Sequence, residues 1–387
     1  GYAPKPQPPA MRPVPNAGFD AWVRAFRPQA LAQGITPATF DRAFSEAGFL
    51  PEVIERDRNQ TEFTRTLEDY LAIAASDERV SKGQAALARN RASLNAIEAR
   101  YGVEPNVVVA VWGLESFYGE RRGNVEVISA LATLAYEGRR GSFFQSQLIA
   151  ALKILQNGDT TPHNMTGSWA GAMGHTQFIP TSYLLYAVDF TGDGRRDIWS
   201  EDPTDALAST AAYLARSGWT RGQPWGVEVR LPAGFNFGVA DQSNRRPVAD
   251  WRARGVTTMD GRPLPDYGNA AIITPGGMTG PAFAVFDNFF VIKTYNNATA
   301  YAMGVGHLGD RIGGGGPIQG AWPRHERELS RTEKMEMQRR LIAMGFDTGA
   351  TDGVIGPNTI QAIRAYQQSR GLTPDGFATA ALLADMR

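Results

Sequence analysis

One acidic residue lies in a setting that suits proton transfer. The segment Val111-Trp-Gly-Leu-Glu-Ser-Phe-Tyr-Gly119 places Glu115 after an apolar run and before small and aromatic residues. A carboxyl group in such surroundings is partly removed from water, which favours its neutral form and raises its pKa. Because a neutral carboxyl can donate a proton near pH 7, Glu115 is the first candidate for a general acid. The alternative is an ordinary glutamate at a helix end, with its side chain in solvent.

A second segment has the spacing of a calcium-binding loop. Asp189-Phe-Thr-Gly-Asp-Gly-Arg-Arg-Asp197 follows the EF-hand pattern, with Gly194 at position 6 for the sharp turn. The ligands at positions 1, 3, 5 and 7 would be Asp189, Thr191, Asp193 and the carbonyl of Arg195. Position 12 is Ser200 instead of a bidentate glutamate, and position 3 carries a hydroxyl, so both departures weaken the site. The alternative is an Asp/Gly turn held by its own hydrogen bonds.

The composition excludes several other chemistries. The chain has 387 residues and no cysteine, which excludes a thiol nucleophile, a disulfide framework and a cysteine-ligated zinc site. The 39 basic and 39 acidic residues give zero formal charge, which argues against nucleic acid as the main partner. No run of about 18 apolar residues is present, so we predict no transmembrane helix. The histidines show no zinc-ligand spacing; they are His163, His175, His307 and His325.

Helices are predicted to position Glu115. From Phe19 to about Ala215 apolar residues recur at spacings of three and four, the pattern of amphipathic helices. The run from Val107 to Leu114 is apolar on every side, which is typical of a helix buried in the interior. Residues Ser76 to Tyr101 read as one long polar helix.

The pattern changes after Gly222. Residues 225–231 alternate with period two, and residues 270–274 and 282–294 also read as strands between Gly/Pro-rich turns. We therefore predict a small β-rich subdomain over about 223–294, followed by a helix from Ala298 to Ile312.

Two segments read as connectors. Residues 1–17 hold six prolines between Pro4 and Pro15 and are expected to be an extended tether. Residues 313–328 begin with four glycines and are predicted to be a linker that lets the following unit, 329–387, move freely. In that unit Ser330 and Glu333 match the capping box that begins a helix.

Four segments, in this order, carry a resemblance to a known family. They are Glu115-Ser-Phe-Tyr-Gly119, Ala130-Leu-Ala-Thr-Leu-Ala135, Ser168-Trp-Ala-Gly-Ala-Met-Gly174 and Gln177-Phe-Ile-Pro-Thr-Ser-Tyr183. Over residues 18–312 the chain resembles the membrane-bound lytic murein transglycosylase B family. The resemblance implies a mainly α (α+β) fold, with a lysozyme-like helical catalytic region, the small β-rich subdomain, and a C-terminal three-helix module.

The resemblance also implies an activity. The family cleaves the β-1,4 bond between N-acetylmuramic acid and N-acetylglucosamine in peptidoglycan without water: the muramic C6 hydroxyl attacks C1 and gives a 1,6-anhydro product. Glu115 lies at the family's catalytic position. Ordinary glycosidases use two carboxylates. Here the substrate supplies the nucleophile, so the resemblance implies that one carboxyl serves as acid and then as base. The alternatives are a hydrolytic muramidase and a non-catalytic peptidoglycan-binding scaffold.

Further site residues carry over by motif. The resemblance assigns substrate binding to Ser168, Gln177, Tyr213, Tyr295, Asn296, Tyr301, Arg139 and Arg140. Read alone, these would be ordinary core tyrosines and solubilising arginines. In the family's variant calcium loop the last ligand is a later aspartate, matched here by Asp205, although this chain is two residues longer before it. No cofactor is expected to be required, and a structural calcium is possible.

The C-terminal unit has a resemblance of its own. Asp352-Gly-Val-Ile-Gly-Pro-Asn-Thr-Ile-Gln-Ala-Ile363 and Gly371-Leu-Thr-Pro-Asp-Gly376 are similar to the small peptidoglycan-binding domain of cell-wall hydrolases. The implied partners are peptidoglycan and other cell-wall enzymes. The expected location is the periplasm, with outer-membrane association if a lipid anchor has been removed, and the absence of cysteine is compatible with that oxidising compartment.

Overall fold

The computed structural model describes residues 10–59, 66–323 and 327–387. The described helices, in chain order, are α1 (Ala17–Ala32), α2 (Pro37–Phe44), α3 (Pro51–Arg58), α4 (Leu67–Ala74), α5 (Asp77–Arg89), α6 (Arg91–Tyr101), α7 (Pro105–Ser116), α8 (Val127–Glu137), α9 (Gly141–Gln156), α10 (Pro180–Tyr186), α11 (Thr204–Arg216), α12 (Val248–Ala253), α13 (Asp287–Tyr295), α14 (Thr299–Ile312), α15 (Arg331–Ala343), α16 (Pro357–Ser369) and α17 (Ala380–Met386). The described strands are β1 (Val125–Glu126), β2 (Thr166–Gly167), β3 (Gly226–Arg230), β4 (Thr257–Thr258), β5 (Ala271–Ile273) and β6 (Ala282–Val285).

The chain divides into two compact units. The first comprises residues 1–60 and 81–217, and the second comprises residues 61–80 and 218–387. Among the described residues, no helix is both long and apolar enough to cross a membrane.

The core of the first unit is helical. Helix α8 packs along α9, α10 also packs on α9, and α11 packs on α6 and α7. The buried face of α8 includes Ile128, Leu131 and Leu134, which join Leu148 and Leu152 of α9 in one hydrophobic cluster. The strands β1 and β2 pair antiparallel, with Val125 opposite Gly167 and Glu126 opposite Thr166. This pairing ties the segment after α7 to the turn that begins at Ser168.

Two predicted elements of the first unit need correction. The long helix expected over residues 76–101 is two helices, α5 and α6, separated at Asn90. The Asn90 side chain donates to the Ala86 carbonyl at 2.8 Å, a local bond through which asparagine competes with helix continuation. The predicted tether is also partly held, because Val14 N–H donates to the Phe49 carbonyl at 2.9 Å. Residues 1–9 of the tether lie outside the described residues.

The second unit contains a four-stranded antiparallel sheet in the order β4-β3-β6-β5. Val227 lies opposite Ala284, and Ile272 lies opposite the same residue on the other side. The strands predicted at 225–231 and 270–274 are therefore confirmed. The strand expected over 282–294 is wrong after Val285, because α13 begins at Asp287. That helix buries Phe289 and Ile292, which are three residues apart.

The C-terminal helices α15, α16 and α17 form a small module with its own core. Met337, Leu341, Ile363, Tyr366 and Leu383 are among its buried residues. The predicted capping box is present: Ser330 Oγ accepts the Glu333 N–H at 3.1 Å, and the Glu333 carboxylate accepts the Ser330 N–H at 3.1 Å.

The segment that leads to this module is held at two positions, contrary to the expectation from its glycines. The Glu228 carboxylate of β3 accepts the backbone N–H groups of Gln319 and Gly320, both at 2.7 Å. In α16, Arg364 forms an ion pair with Asp241 at 3.0 Å, and the two side chains are only 5% and 2% exposed. The module is therefore docked within the second unit and does not hang on a free tether.

Candidate active site

Glu115 lies in the last turn of α7 and is half-buried. The helix begins with Pro105 at its first turn, a position where proline is tolerated, and buries the run from Val108 to Gly113. The all-round burial predicted for this helix is confirmed. Phe117 and Tyr118 follow with left-handed φ angles of 51° and 58°, which are costly for aromatic residues. The chain therefore turns sharply just after Glu115, with backbone strain of the kind that functional sites retain.

Ser116, the neighbour of Glu115, joins this turn to a second loop. Its Oγ donates to the carbonyl of His175 at 2.5 Å and accepts the N–H of Gly119 at 2.9 Å. Ser116 is buried, so both bonds are shielded from water. The side chain thereby fixes the end of α7 against the loop that contains His175.

His175 is buried and in contact with the same turn. Trp112 Nε1–H donates to His175 Nδ1 at 3.2 Å, and His175 Nε2 lies 2.6 Å from the carbonyl of Ser200. These partners assign the proton to Nε2 and leave Nδ1 as an acceptor, which is a neutral imidazole. Burial lowers the pKa of His175 below its ordinary value, although the Ser200 carbonyl opposes this shift. His175 therefore stays neutral in the folded protein near pH 7.

Gly119 explains why the turn fits so closely around His175. Its φ is +88°, and a Cβ added there would lie 2.6 Å from His175 Nδ1. Both the backbone conformation and the space therefore require glycine at this position.

Arg122 connects three loops around the candidate site. Its Nε donates to the Gly119 carbonyl at 2.9 Å, and its Nη1 donates to the carbonyls of Trp199 and Ser200 at 2.8 and 3.2 Å. Its Nη2 forms an ion pair with Glu201 at 2.5 Å. Local sequence patterns reveal neither Arg122 nor the structural role of His175, because most of their partners lie tens of residues away in the chain.

Gln177 lies on the other side of Arg122. Its Nε2 donates to the Arg122 carbonyl at 3.0 Å and to the Gly174 carbonyl at 2.8 Å. Its φ is +57°, so it is the third non-glycine residue with a left-handed backbone among those described. All three of these residues, Phe117, Tyr118 and Gln177, belong to the two loops that meet beside Glu115.

Ser168 opens the turn that leads to Gln177. Its Oγ accepts the N–H groups of Ala170 and Ala172 at 3.3 and 3.0 Å, and its own N–H donates to the Ala172 carbonyl at 2.8 Å. Gly171 has a φ of +86° and packs against Leu131, with no space for a Cβ. The predicted Ser168 is thus half-buried and shapes the turn through three backbone contacts.

Tyr213 is brought to the same region from α11. Its ring packs against Phe178 with centroids 6.1 Å apart and against Tyr186 at 4.4 Å. Tyr213 therefore packs against the residue that follows Gln177, and part of its side chain is still accessible.

The two arginines make contacts elsewhere in the first unit. Arg139 forms an ion pair with Asp57 at 2.7 Å, and the Asp57 side chain is only 5% exposed. The Arg140 guanidinium lies 4.2 Å from the centroid of the Phe143 ring. Arg139 therefore neutralises a buried carboxylate, whereas Arg140 is exposed and contacts an aromatic ring.

The three remaining predicted residues belong to the second unit. Tyr295 ends α13 and is half-buried, Asn296 is exposed, and Tyr301 is buried within α14. Asn296 Oδ1 accepts the N–H of Ala298 at 3.0 Å, which holds the short turn between the two helices.

The calcium-like loop brings its acidic residues together. Oxygen atoms of Asp189, Asp193 and Asp205 lie within 4.8 Å of one another. The Asp189 carboxylate accepts backbone N–H groups from Gly192 at 2.9 Å and Gly194 at 2.8 Å. Burial raises the pKa of Asp189, but these backbone bonds and that from Asp193 outweigh it and lower the pKa overall. The ionised form that a cation requires is therefore favoured at Asp189.

Asp205 follows the loop in the sequence, and its side chain holds the loop closed through hydrogen bonds. It is 4% exposed, and its two oxygens accept N–H groups from Phe190 at 2.9 Å and Asp197 at 2.9 Å. Burial raises the pKa of Asp205, and the backbone bonds oppose that shift. Three converging carboxylates are the hard oxygen donors that calcium prefers, so the donor set fits this ion. The same backbone bonds also match the alternative of a turn held by its own side chains. His325 of the histidine set lies outside the described residues.

Comparison with known proteins assigns the family. Residues 18–310 match the transglycosylase SLT domain, and residues 330–386 match a putative peptidoglycan binding domain. The chain belongs to the transglycosylase SLT domain family. The predicted family resemblance and the predicted fold class, mainly helical with small sheets and a helical C-terminal module, are both confirmed.

Individual relatives agree with this assignment. The membrane-bound lytic murein transglycosylase B of Escherichia coli (strain K12) is 35% identical over 227 residues, a match that covers 57% of this chain and 60% of that protein. SltB3 of Pseudomonas aeruginosa, solved in complex with NAG-anhNAM-pentapeptide, is 54% identical with a TM-score of 0.93, over 96% of this chain and 100% of that chain. Escherichia coli Slt35 in complex with calcium is 28% identical with a TM-score of 0.64, and the match covers 78% of this chain and 96% of that chain.

Proposed function

We propose that this protein is a lytic murein transglycosylase that cleaves the MurNAc-β-1,4-GlcNAc bond of peptidoglycan and forms 1,6-anhydro-MurNAc ends. One observation carries the proposal. This chain belongs to the transglycosylase SLT domain family, and its Glu115 is a half-buried carboxyl at the end of an apolar helix, beside two loops with a strained backbone. The likeness to SltB3, whose complex holds an anhydro-muramic ligand, supports the same reaction.

The proposed reaction needs one carboxyl in two roles. Neutral Glu115 gives its proton to the glycosidic oxygen, so the bond from that oxygen to muramic C1 breaks. The C6 hydroxyl of the same sugar then forms a bond to C1, and the Glu115 carboxylate takes the hydroxyl proton. Glu115 ends in its starting state, and no water is consumed. Attack within one molecule avoids the entropy cost of capturing a separate nucleophile.

The loops around Glu115 are proposed to hold the sugar. Ser168 and Gln177 supply polar groups, and Tyr213 supplies a partly accessible ring for a sugar or stem peptide. Tyr295, Asn296 and Tyr301 are proposed to bind further parts of the strand. Arg140 is exposed and suits a substrate carboxylate, whereas Arg139 already neutralises Asp57 and is proposed to contribute through that pair.

The test is a Glu115→Gln substitution, which keeps the shape of the side chain and removes the acidic proton that the reaction needs. Purified murein sacculi are digested and the soluble products are analysed by mass spectrometry. We expect anhydro-muropeptides from the wild type and near-complete loss of product from Glu115→Gln. Glu120→Gln is the matched control, because Glu120 is also half-buried and follows on the same turn.

The products also separate the two alternatives. Ends that are heavier by one water identify a hydrolytic muramidase, which would require a second carboxylate. Glu126 of β1 is another half-buried acid of the first unit, so Glu126→Gln tests that route. No digestion by the wild type, with murein binding intact, would indicate a scaffold protein. Undiminished digestion by Glu115→Gln would show that another residue is the catalytic acid.

The remaining assignments are proposed on the same basis. The module at 329–387 is proposed to bind peptidoglycan, and the protein is proposed to act in the periplasm, where that polymer lies. Asp189, Thr191, Asp193, Arg195 and Asp205 are proposed to bind a structural calcium, as the complex of Slt35 with calcium suggests. Calcium would stabilise the folded chain by mass action, and no change of the unfolding midpoint at millimolar calcium would refute this.

A further inference from the structure

A large cavity lies within the second unit, away from Glu115 in the chain. Its volume is about 710 Å³, which is within the range of pockets that bind small molecules and short peptides. Its apolar lining includes Leu67 of α4, Ile273 of β5, and Ile360 and Phe377 of the C-terminal module. The cavity exists only because the module is docked, since the module supplies one of its walls.

The docking contact places a buried cation in this wall. Arg364 Nη1 donates to Asp241 Oδ2 at 3.0 Å and to the Gly238 carbonyl at 3.2 Å, and Nη2 donates to the Ala240 carbonyl. Gln361 Nε2 adds a bond to the same Asp241 oxygen at 3.0 Å. Arg364 is 4% exposed, yet its Nε–H has no acceptor among the described residues. A buried guanidinium with a spare donor favours an acidic or carbonyl-bearing ligand nearby.

Charges of both signs line the same cavity. Lys334 pairs with Glu328 at 3.0 Å, with side chains 22% and 31% exposed, so both groups remain reachable from the cavity. Asp375 lines it as well. A ligand with both carboxylate and ammonium groups would be complementary to this lining, whereas a neutral sugar would offer the charged groups no opposite charge.

A hydrogen-bonded chain leads from the cavity to the predicted substrate residues. Thr299 Oγ1 accepts from Gln242 Nε2 at 2.6 Å, and Gln242 Oε1 accepts from Lys293 Nζ at 2.6 Å. Gln242 and Thr299 line the cavity, and Lys293 lies two residues before Tyr295. The cavity and the segment 295–301 are therefore parts of one connected surface.

We propose that this cavity binds a stem peptide of peptidoglycan, and that the docked module thereby takes part in substrate recognition. The inference rests on the proposed function, because the glycan substrate supplies the peptide. The peptide is the occupant that the lining favours: it has apolar side chains for Ile360 and Phe377, carboxylates for Lys334, and backbone amides for Gln242.

Calorimetric titration of the full chain with a free stem pentapeptide tests the proposal, because this probe has no glycosidic bond to cleave. Ala378→Trp fills the cavity from the module side. Ala384→Trp is the control, since Ala384 is exposed on α17 of the same module. We expect Ala378→Trp to weaken pentapeptide binding about tenfold or more, and Ala384→Trp to bind like the wild type.

A second pair of variants covers the case in which Ala378→Trp does not fold. Lys334→Gln removes a cation from the cavity, and Arg339→Gln removes an exposed cation from the same helix. We expect about a tenfold loss of pentapeptide affinity for Lys334→Gln only, as for the loss of one charged hydrogen bond. Wild-type affinity in both Lys334→Gln and a folded Ala378→Trp would overturn the proposal. Murein cleavage without any pentapeptide binding would also overturn it and leave the proposed activity intact, whereas pentapeptide binding without cleavage would refute only the activity.

Discussion

Arg122 offers a direct test of how the candidate site is held together. The Arg122→Ala substitution removes the donors to the carbonyls of Gly119, Trp199 and Ser200, and it removes the ion pair with Glu201. A hydrogen bond from a charged group contributes about 1.5–3 kcal/mol, but neighbouring bonds in one cluster are not additive. The ion pair adds little, because the Glu201 side chain is 93% exposed and an exposed pair contributes about 0–1 kcal/mol.

From these contacts we expect Arg122→Ala to lower the free energy of unfolding by about 3 kcal/mol. The larger effect should be on turnover, since the Arg122 side chain fixes the turn after Glu115, and the backbone carbonyl that anchors Gln177 would move with that turn. A displacement of about 1 Å at a catalytic group costs up to about 100-fold in rate, so we expect kcat to fall between about 10- and 100-fold. The assay is the initial rate of anhydro-muropeptide release from murein sacculi, at a temperature where urea denaturation shows the variant to be folded.

Two further variants make this reasoning refutable. Glu201→Gln removes only the exposed ion-pair partner, so it should cleave at nearly the wild-type rate. Arg122→Lys keeps the charge but cannot reach three carbonyls, so it should recover little activity. A folded Arg122→Ala variant with unchanged kcat would show that the loops hold Glu115 without this side chain. Equal losses in Glu201→Gln and Arg122→Ala would show that the ion pair, and not the carbonyl contacts, matters.

Three other predictions follow from contacts of the first unit. Arg139→Ala should destabilise the fold by about 3 kcal/mol in denaturant titration, because it leaves the buried carboxylate of Asp57 unpaired, whereas Arg140→Ala should affect only murein binding. Gly119→Ala should cost about 1–3 kcal/mol and reduce product release, because the new Cβ meets His175 and the backbone there is left-handed. Burial lowers the pKa of His175, so below about pH 6.5 the unfolded chain binds more protons than the folded chain. The contribution of His175 to stability should therefore be fully present above that pH and should fall as the pH drops below it. Comparison of the pH–stability curves of the wild type and His175→Gln measures this contribution.

Each of these has an outcome that would contradict it. Equal stability of Arg139→Ala and Arg140→Ala would mean that Asp57 finds another partner. Wild-type stability of Gly119→Ala would mean that the turn relaxes around the methyl group. A pH–stability curve that is unchanged by His175→Gln would mean that the imidazole does not set the acid limit of stability.

The sequence predicted the parts of the site that local patterns control. An all-apolar run predicted the buried helix α7, and Glu115 follows from its position at the end of that run. The EF-hand spacing predicted the loop with Asp189 and Asp193, whose carboxylates converge, whereas the third carboxylate, Asp205, was predicted only through the family resemblance. These predictions depend on residues that are close in the chain.

Long-range contacts were beyond such patterns. Arg122 lies in a charged stretch that looks like ordinary surface, but its acceptors are carbonyls about 80 residues later. Many of the residues that follow Val285 are as apolar as those of β6, so the sequence predicted one long strand. Only Asp287 marks the beginning of α13. The four glycines predicted free movement, because nothing local reveals that Arg364 is buried against Asp241, 123 residues away.

The docked module changes how a shortened protein should be understood. Cutting the chain at residue 313 removes Arg364 and Gln361, so Asp241 would become a carboxylate in a former interface with no cation. Losing one member of a buried ion pair costs about 3–5 kcal/mol where the site stays dry, and the cost is smaller here because the cut also exposes Asp241 to water. A truncated enzyme would therefore combine a loss of murein binding with damage to the sheet region it leaves behind. A truncation that also carries Asp241→Asn separates these two effects, and it makes the module's contribution to binding measurable by itself.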